Sequence, residues 1–255
     1  MSAPVAIGVD AGSTTWKAVA VDAEGVVVAS LVEPADPRIE EQTARGLLAL
    51  RAQTGAPAET PVGATGYGRK LVVASRALTE ITCHARGAFT RMGRAGVLLD
   101  IGGQDTKVIR FGDGGEVQDF AMNDKCAAGT GRFLEVILAR LRVSYDEAAG
   151  AVARAVKPVT VSSTCTVFAE SEVVSLVARG EPLEGILRGL HQALATRVAS
   201  LAGRVPEGRP LFMSGGVALN RAMVQSLGEA LGRRLEVVPS PQLVGALGAA
   251  MSVLA

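Results

Sequence analysis

Two stretches of this 255-residue chain place a carboxylate, glycines and hydroxyls where they could hold a phosphate. One is "VDAGSTTWK", residues 9–17, and the other is "LDIGGQDTK", residues 99–107. A β-branched run that ends in Asp and a glycine turn offers backbone N–H groups, hydroxyls and a carboxylate at one edge of a sheet, a combination that suits phosphate and magnesium. Gly12, Gly102 and Gly103 let the backbone approach phosphate oxygens closely, and Ser13, Thr14 and Thr15 can donate hydrogen bonds. Asp10 and Asp100 are expected to face each other across a cleft, to hold Mg2+ through water and to orient an attacking water, with Gln104 and Asp105 nearby. A single such turn could be only a turn, with glycine for geometry and Asp as a local cap. The repetition argues against that. Neither a G-x-x-x-x-G-K-[ST] P-loop nor a G-x-G-x-x-G dinucleotide fingerprint occurs.

The elements that must position these residues are also repeated. Laid over itself at an offset of 90, the chain puts Asp10 on Asp100, Gly12 on Gly102, Lys17 on Lys107, Gly25 on Gly115 and Val27 on Val117. Each copy predicts a strand, an Asp-x-Gly turn, a second strand, and a glycine hairpin turn before a third strand. Lys17 and Lys107 recur one strand after each turn and are counted with the cofactor-binding residues. A second correspondence joins "VGATGYG" at 62–68 to "LFMSGGV" at 211–217, both strands ending in Thr or Ser before glycine. Its offset is 149, so the second copy carries 59 further residues (149 minus 90), and these hold Cys126 and Cys165. The expected domains are 1–95, with the first loop, and 96–255, with the second loop and the cysteine-bearing insertion.

"CAAGTGRFLEVILARL" predicts Cys126, a glycine turn, then a helix from about Arg132 with Phe133, Ile137 and Leu141 along one face. "SSTCTVFAESEVVSLVARG" predicts a helix from Thr166 to Arg179 that stops at Gly180, with Thr164 as its N-cap. Both sulfurs are thereby expected at helix N-termini, where the dipole favours thiolate and an anionic group. Cys83, in "ITCHARGAF", falls inside an apolar helical pattern and is expected in the core. His84 and His191 have no zinc-finger spacing to the cysteine pair. A cubane cluster needs four thiolates, which two chains related by a twofold axis would supply. Zinc at the same interface and a redox disulfide remain rivals at this point.

Composition sets the frame around this chemistry. With 26 basic and 25 acidic residues the formal charge is +1, which leaves no basic excess to suggest nucleic acid. The N-terminus lacks a basic n-region, and the longest uncharged apolar stretch, "LVGALGAAMSVLA", is too short to span a bilayer. Three cysteines without an export signal lead us to expect a reducing cytoplasm.

"GVDAGSTTWKAVAVD", "LLDIGGQDTKVIRF" and "FMSGGVALN" resemble the first phosphate loop, second phosphate loop and adenosine motif of the superfamily of acetate and sugar kinases, actin and heat-shock chaperone ATPases. That resemblance implies an α/β fold of two duplicated ribonuclease H-like subdomains holding ATP and magnesium. It puts Gly215 and Gly216 beneath the adenosine and lets Asn220 and Gln242 reach the nucleotide. The blocks "ATGYGR", "EITCHARGA", "NDKCAAGTGRFL" and "SSTCTVFAESEV" together with "PQLVGALGAA" are similar to the activator component of 2-hydroxyacyl-CoA dehydratases. The likeness covers nearly the whole chain. In that family a homodimer holds one 4Fe-4S cluster between subunits, and ATP hydrolysis drives an electron from it into a separate dehydratase. The resemblance therefore implies cluster-ligand roles for Cys126 and Cys165 and none for Cys83, with a ferredoxin or flavodoxin as reductant. An ATP-binding subunit of benzoyl-CoA reductase shares the same motifs, and a small-molecule kinase of the same fold is a further alternative.

Overall fold

The computed structural model describes residues 4–162, 165–203 and 209–254. It contains two five-stranded sheets. The first is built from β1 (Ala6–Ala11), β2 (Thr15–Val21), β3 (Val27–Pro34), β4 (Val62–Thr65) and β5 (Arg76–Ala77), in the order β3-β2-β1-β4-β5. The second uses β6 (Gly96–Ile101), β7 (Thr106–Phe111), β8 (Val117–Asn123), β9 (Leu211–Ser214) and β10 (Leu235–Val237), in the order β10-β9-β6-β7-β8. Taken from the opposite edge, the second order is β8-β7-β6-β9-β10, which is the first order with every strand number raised by five. The duplication expected from the sequence is thus present in the topology.

The chain divides into two compact units: Met1–Leu98 with Ile109–Phe120 and Val238–Ala255, and Leu99–Val108 with Ala121–Val237. In the first, β1 pairs antiparallel with β2, opposing Asp10 to Lys17, and parallel with β4, opposing Asp10 to Thr65. Every residue of β1 is buried, as a strand covered on both faces requires. One face meets Trp16, Leu47 and Leu50, the latter two on α1 (Ile39–Thr54). The other meets Leu243, Ala246, Leu247 and Ala250, three of them on the C-terminal helix α8 (Val244–Met251).

Small residues determine how closely α8 packs. A Cβ on Gly8 would lie 1.9 Å from the Ala246 carbonyl oxygen, and one on Gly63 would lie 2.0 Å from that of Ala249. On its other side α8 meets α2 (Glu80–Met92), where a Cβ on Gly248 would lie 1.8 Å from the Cys83 carbonyl oxygen. Backbone therefore meets backbone, with no room for a side chain between them. Thr79 caps α2 through the Thr82 amide. Cys83 is buried there at 1% exposure, as its helical pattern predicts, and burial pushes its thiol up to about 11 while the Thr65 hydroxyl opposes the rise.

The second unit holds α3 (Gly131–Leu141), α4 (Tyr145–Arg154), α5 (Thr166–Ala178), α6 (Leu183–Ala202) and α7 (Arg221–Leu231). Phe133, Leu134, Ile137 and Leu138 form the buried face of α3. Leu141 is only partly buried, so the apolar face ends a turn earlier than its sequence pattern predicts. Ser144 and Glu147 close a reciprocal capping box at the start of α4. Among the described residues no helix is long and apolar enough to cross a membrane.

Candidate functional site

Each sheet carries an Asp at the end of its central strand, and each Asp has a lysine from the next strand. Lys17 Nζ donates to Asp10 Oδ2 at 3.1 Å, and Lys107 Nζ lies 3.6 Å from Asp100 Oδ2. The second lysine is more enclosed, 2% exposed, and also donates to Asp105 Oδ2 at 2.6 Å. Both lysines thus hold carboxylates, a use beyond the cofactor contact expected of them. The Ser214 hydroxyl donates to Asp100 Oδ1 at 2.7 Å, which orients that carboxylate from β9.

The glycines after β4 and β9 complete the equivalence. Gly66 (φ 93°) and Gly215 (φ 87°) both adopt the left-handed region. A Cβ on Gly66 would meet the Ala11 carbonyl oxygen at 2.5 Å, and one on Gly215 would meet that of Ile101 at 2.3 Å. Ala11 and Ile101 each follow the strand-end Asp and are 90 residues apart, while the two glycines are 149 apart. The two offsets read from the sequence therefore correspond to one backbone device used twice.

Around these ends lie the turn residues. Ser13, Thr14 and Gln104 are exposed, and Gly12, Thr15, Gly102, Gly103 and Asp105 are partly exposed, so both turns are open to solvent; only the first carries hydroxyl side chains there, because Thr106 is buried with its hydroxyl on the Gly129 carbonyl. Gly216 opens a 3-10 turn at Gly216–Leu219, and Gln242 lies partly buried in another at Pro241–Leu243. Asn220 sits differently from the other expected contacts. It is 1% exposed, its Oδ1 accepts from the Met223 amide at 3.1 Å, and its Nδ2 meets His191 Nε2 at 3.0 Å. Its amide is committed to capping α7 and to His191, which is buried and has its pKa lowered by desolvation.

His84 and Gly245 were not singled out as site residues by the sequence, yet they border Asp10. A Cβ on Gly245 would stand 3.0 Å from Asp10 Oδ2 and 2.9 Å from His84 Nε2. The sequence signal for Gly245 is the glycine in "LVGALGAA", which by itself marks only a place where backbone can approach closely.

Cys126 and Cys165 are both exposed, in contrast to Cys83. Cys165 stands at the N-terminus of α5, as expected, but it is itself the N-cap, the position expected of Thr164, which lies outside the described residues. Cys126 precedes a 3-10 turn at Ala127–Gly129 and α3 begins at Gly131, which matches the expected turn and helix start, but Thr130 is the N-cap of α3 and Cys126 stands ahead of the helix N-terminus expected for it. The reason is local. Asn123 Oδ1 accepts from the Cys126 amide at 3.2 Å and its Nδ2 donates to the Cys126 carbonyl at 2.9 Å, folding the segment back before the helix begins. Arg197 from α6 packs its guanidinium 4.8 Å from the Phe133 ring centre and reaches the Ala128 carbonyl. Burial lowers the Arg197 pKa, and the nearby Cys126 sulfur opposes that shift.

This cysteine turn is bonded to the second Asp turn. The Gly131 amide donates to the Gly102 carbonyl at 2.9 Å, the Arg132 amide to that of Gly103 at 2.9 Å, and the Thr106 hydroxyl to that of Gly129 at 2.7 Å. The 102–106 turn and the residues after Cys126 therefore form one hydrogen-bonded unit.

Residues 7–253 match the model of the BadF/BadG/BcrA/BcrD ATPase family. The chain belongs to that family. It is 41% identical over 249 residues to the activator of lactoyl-CoA dehydratase from Anaerotignum propionicum, covering 96% of this chain and 95% of that one. It is 32% identical to a component of the benzoyl-CoA reductase from Thauera aromatica, over 97% of this chain and 92% of that one. A solved structure of the activator of the 2-hydroxyisocaproyl-CoA dehydratase from Clostridium difficile with bound ADPNP superposes at a TM-score of 0.91 and 38% identity, covering 98% of this chain and 94% of that one. The duplicated two-sheet α/β fold, expected from the phosphate loops as two ribonuclease H-like subdomains, is shared with a ROK family glucokinase from Streptomyces griseus at a TM-score of 0.62 and 14% identity, covering 97% of this chain and 98% of that one.

Among the described residues no group of three or more His, Cys, Asp or Glu side chains assembles a metal site. Magnesium takes one or two carboxylates with water and phosphate oxygens, and Asp10 and Asp100, each taken within its own unit, carry a carboxylate of that kind. A cubane finds only half its ligand set. One chain offers two exposed thiols, Cys126 and Cys165, so four thiolates require a second copy.

Proposed function

We propose that this chain is the ATP-dependent activator of a 2-hydroxyacyl-CoA dehydratase, working as a homodimer in the cytoplasm. The observation that carries the proposal is the hydrogen-bonded unit of the second Asp turn with the cysteine turn, which gives nucleotide a physical route to the sulfur. Dehydratase activators at about 40% identity over nearly the full chain support the choice of partner.

Backbone N–H groups at Gly12 and Gly103 and hydroxyls of Ser13, Thr14 and Thr15 orient phosphate oxygens, while Gly102, whose N–H donates to the Asp105 carbonyl at 3.0 Å, lets the backbone come close to them. Asp10 and Asp100 hold Mg2+ through water, and Gln104, exposed beside Asp105, orients the attacking water. Lys17 and Lys107 neutralise the carboxylates before phosphate arrives and remain close enough to share their charge with it. Gly215 and Gly216 give adenosine a surface without side chains, and Asn220 supports it from beneath by capping α7. Gln242, partly buried in its 3-10 turn, is assigned to the nucleotide as well. Cys126 and Cys165 of two copies hold a 4Fe-4S cluster, which supplies a low-potential electron when bound. The chain's own contribution is to make the setting of those cysteines depend on nucleotide. A ferredoxin or flavodoxin serves as reductant.

The test is reconstitution. The anaerobically purified chain, with a reductant and Mg-ATP, should activate a 2-hydroxyacyl-CoA dehydratase, while ADP should not support activation. Activation of a benzoyl-CoA reductase instead would move the assignment to that system. Phosphorylation of a sugar or carboxylate by an iron-free chain would replace it with a kinase.

A further inference from the structure

Thr130 is fully buried between the second Asp turn and the cysteine turn. Its hydroxyl lies 3.0 Å from the Gly103 carbonyl oxygen and 2.9 Å from that of Ala127, both in donor geometry. A threonine hydroxyl has one proton, so it satisfies one of these acceptors at a time or shares itself unequally. Each acceptor already takes one backbone amide, Arg132 on Gly103 at 2.9 Å and Thr130 itself on Ala127 at 3.1 Å, which leaves one lone pair on each for the hydroxyl. The two acceptors differ in what they belong to. Gly103 is in the turn that faces nucleotide under the proposed function, and Ala127 follows Cys126 directly.

We infer that Thr130 is a positioning residue that passes the state of the 102–105 turn to the Cys126 turn by redirecting this one proton. A phosphate that draws the 102–105 turn toward it changes the position of the Gly103 carbonyl. The hydroxyl then bonds Ala127 instead and tightens the turn that carries Cys126, and loss of the phosphate reverses the choice. No bond other than hydrogen bonds forms or breaks. The step rests on the reading that the 102–105 turn binds phosphate, and two backbone amides report its two ends separately: Arg132 N–H for the loop and Thr130 N–H for the cysteine turn.

Hydrogen exchange of the full chain, with Mg-ADP against Mg and a non-hydrolysable ATP analogue, tests this without any measurement of activity. In the wild type, exchange should differ between nucleotides both at 102–105 and at 126–130, the latter by about five-fold, the size of one hydrogen bond. Thr130→Val, which keeps shape and loses the proton, should retain the difference at 102–105 and lose it at 126–130. Thr130→Ser should restore it. Should Thr130→Val fail to fold, Thr130→Ala against Thr130→Ser makes the same comparison. A nucleotide-dependent difference at 126–130 that survives in the Val or Ala variant overturns the inference. No nucleotide effect at 102–105 in the wild type overturns the phosphate reading beneath it, and the inference with it.

Discussion

Lys107→Met is the perturbation that presses hardest on the second Asp turn. The ammonium lies 2.6 Å from Asp105 and 3.6 Å from Asp100 with 2% of its side chain exposed. At an effective dielectric of about 20 these separations correspond to gross attractions of about 6 and about 5 kcal/mol, against a desolvation cost of several kcal/mol for the buried ammonium. Removing one partner of such a buried group typically costs about 3–5 kcal/mol. Asp105 is 23% exposed and recovers some hydration, so the lower end, about 3 kcal/mol, is expected. For a chain of this size that lowers Tm by about 6–12 °C, measurable by calorimetry or circular dichroism. Magnesium should raise the variant's Tm more than the wild type's, because Asp100 and Asp105 have lost this cation. Lys17→Met should lose less, since the Lys17–Asp10 pair is more open, at 14% and 6% exposure. A Lys107→Met variant within about 0.5 kcal/mol of wild type would refute the account of this lysine as the neutralising charge.

Three further outcomes follow from the geometry. Gly215→Ala and Gly66→Ala, each with positive φ and a carbonyl within 2.5 Å of the new Cβ, should cost about 2–4 kcal/mol in denaturant melts, whereas Gly55→Ala, with positive φ in open space, should cost about 1 kcal/mol. His191 has its pKa lowered by burial, and protonating Nε2 would set an N–H against the Asn220 amide it now accepts from. The unfolded chain then binds the proton that the folded chain refuses, so stability should fall as pH drops below about 6.5, with a weaker dependence in His191→Gln by thermal melts across pH. Arg197→Ala should destabilise α3 by about 1 kcal/mol through the lost contact with Phe133, and Arg197→Lys should recover part of it.

Much of this architecture was legible because the sequence had to repeat what the backbone repeats. A strand-end Asp, the turn glycines and the left-handed Gly66 and Gly215 admit few substitutes, so the internal offsets survive in the residues themselves. Cys165 was also readable, since the apolar run after it starts a helix directly. The turn after Cys126 was legible from its glycine, but the Asn123 side chain that holds that turn ahead of α3 was not, being a contact between residues three apart that periodicity does not register. Lys17 and Lys107 were counted with the cofactor-binding residues without their ion pairs, because their carboxylate partners lie across a turn and only the pairing of strands brings them together. The return of α8 to the first sheet carries no local mark, because its small residues serve any close packing equally well. Asn220 and His191 are 29 residues apart, and their bond depends on how α6 and α7 pack.

The measurement that reaches the central claim most directly is iron and acid-labile sulfide in anaerobically purified protein, read alongside its mass in solution. The account predicts about four of each per two chains, lost in Cys126→Ser and in Cys165→Ser and kept in Cys83→Ser, whose parent thiol is buried. A single chain that retains its iron, or a pair of chains that binds none when protected from oxygen, would contradict it.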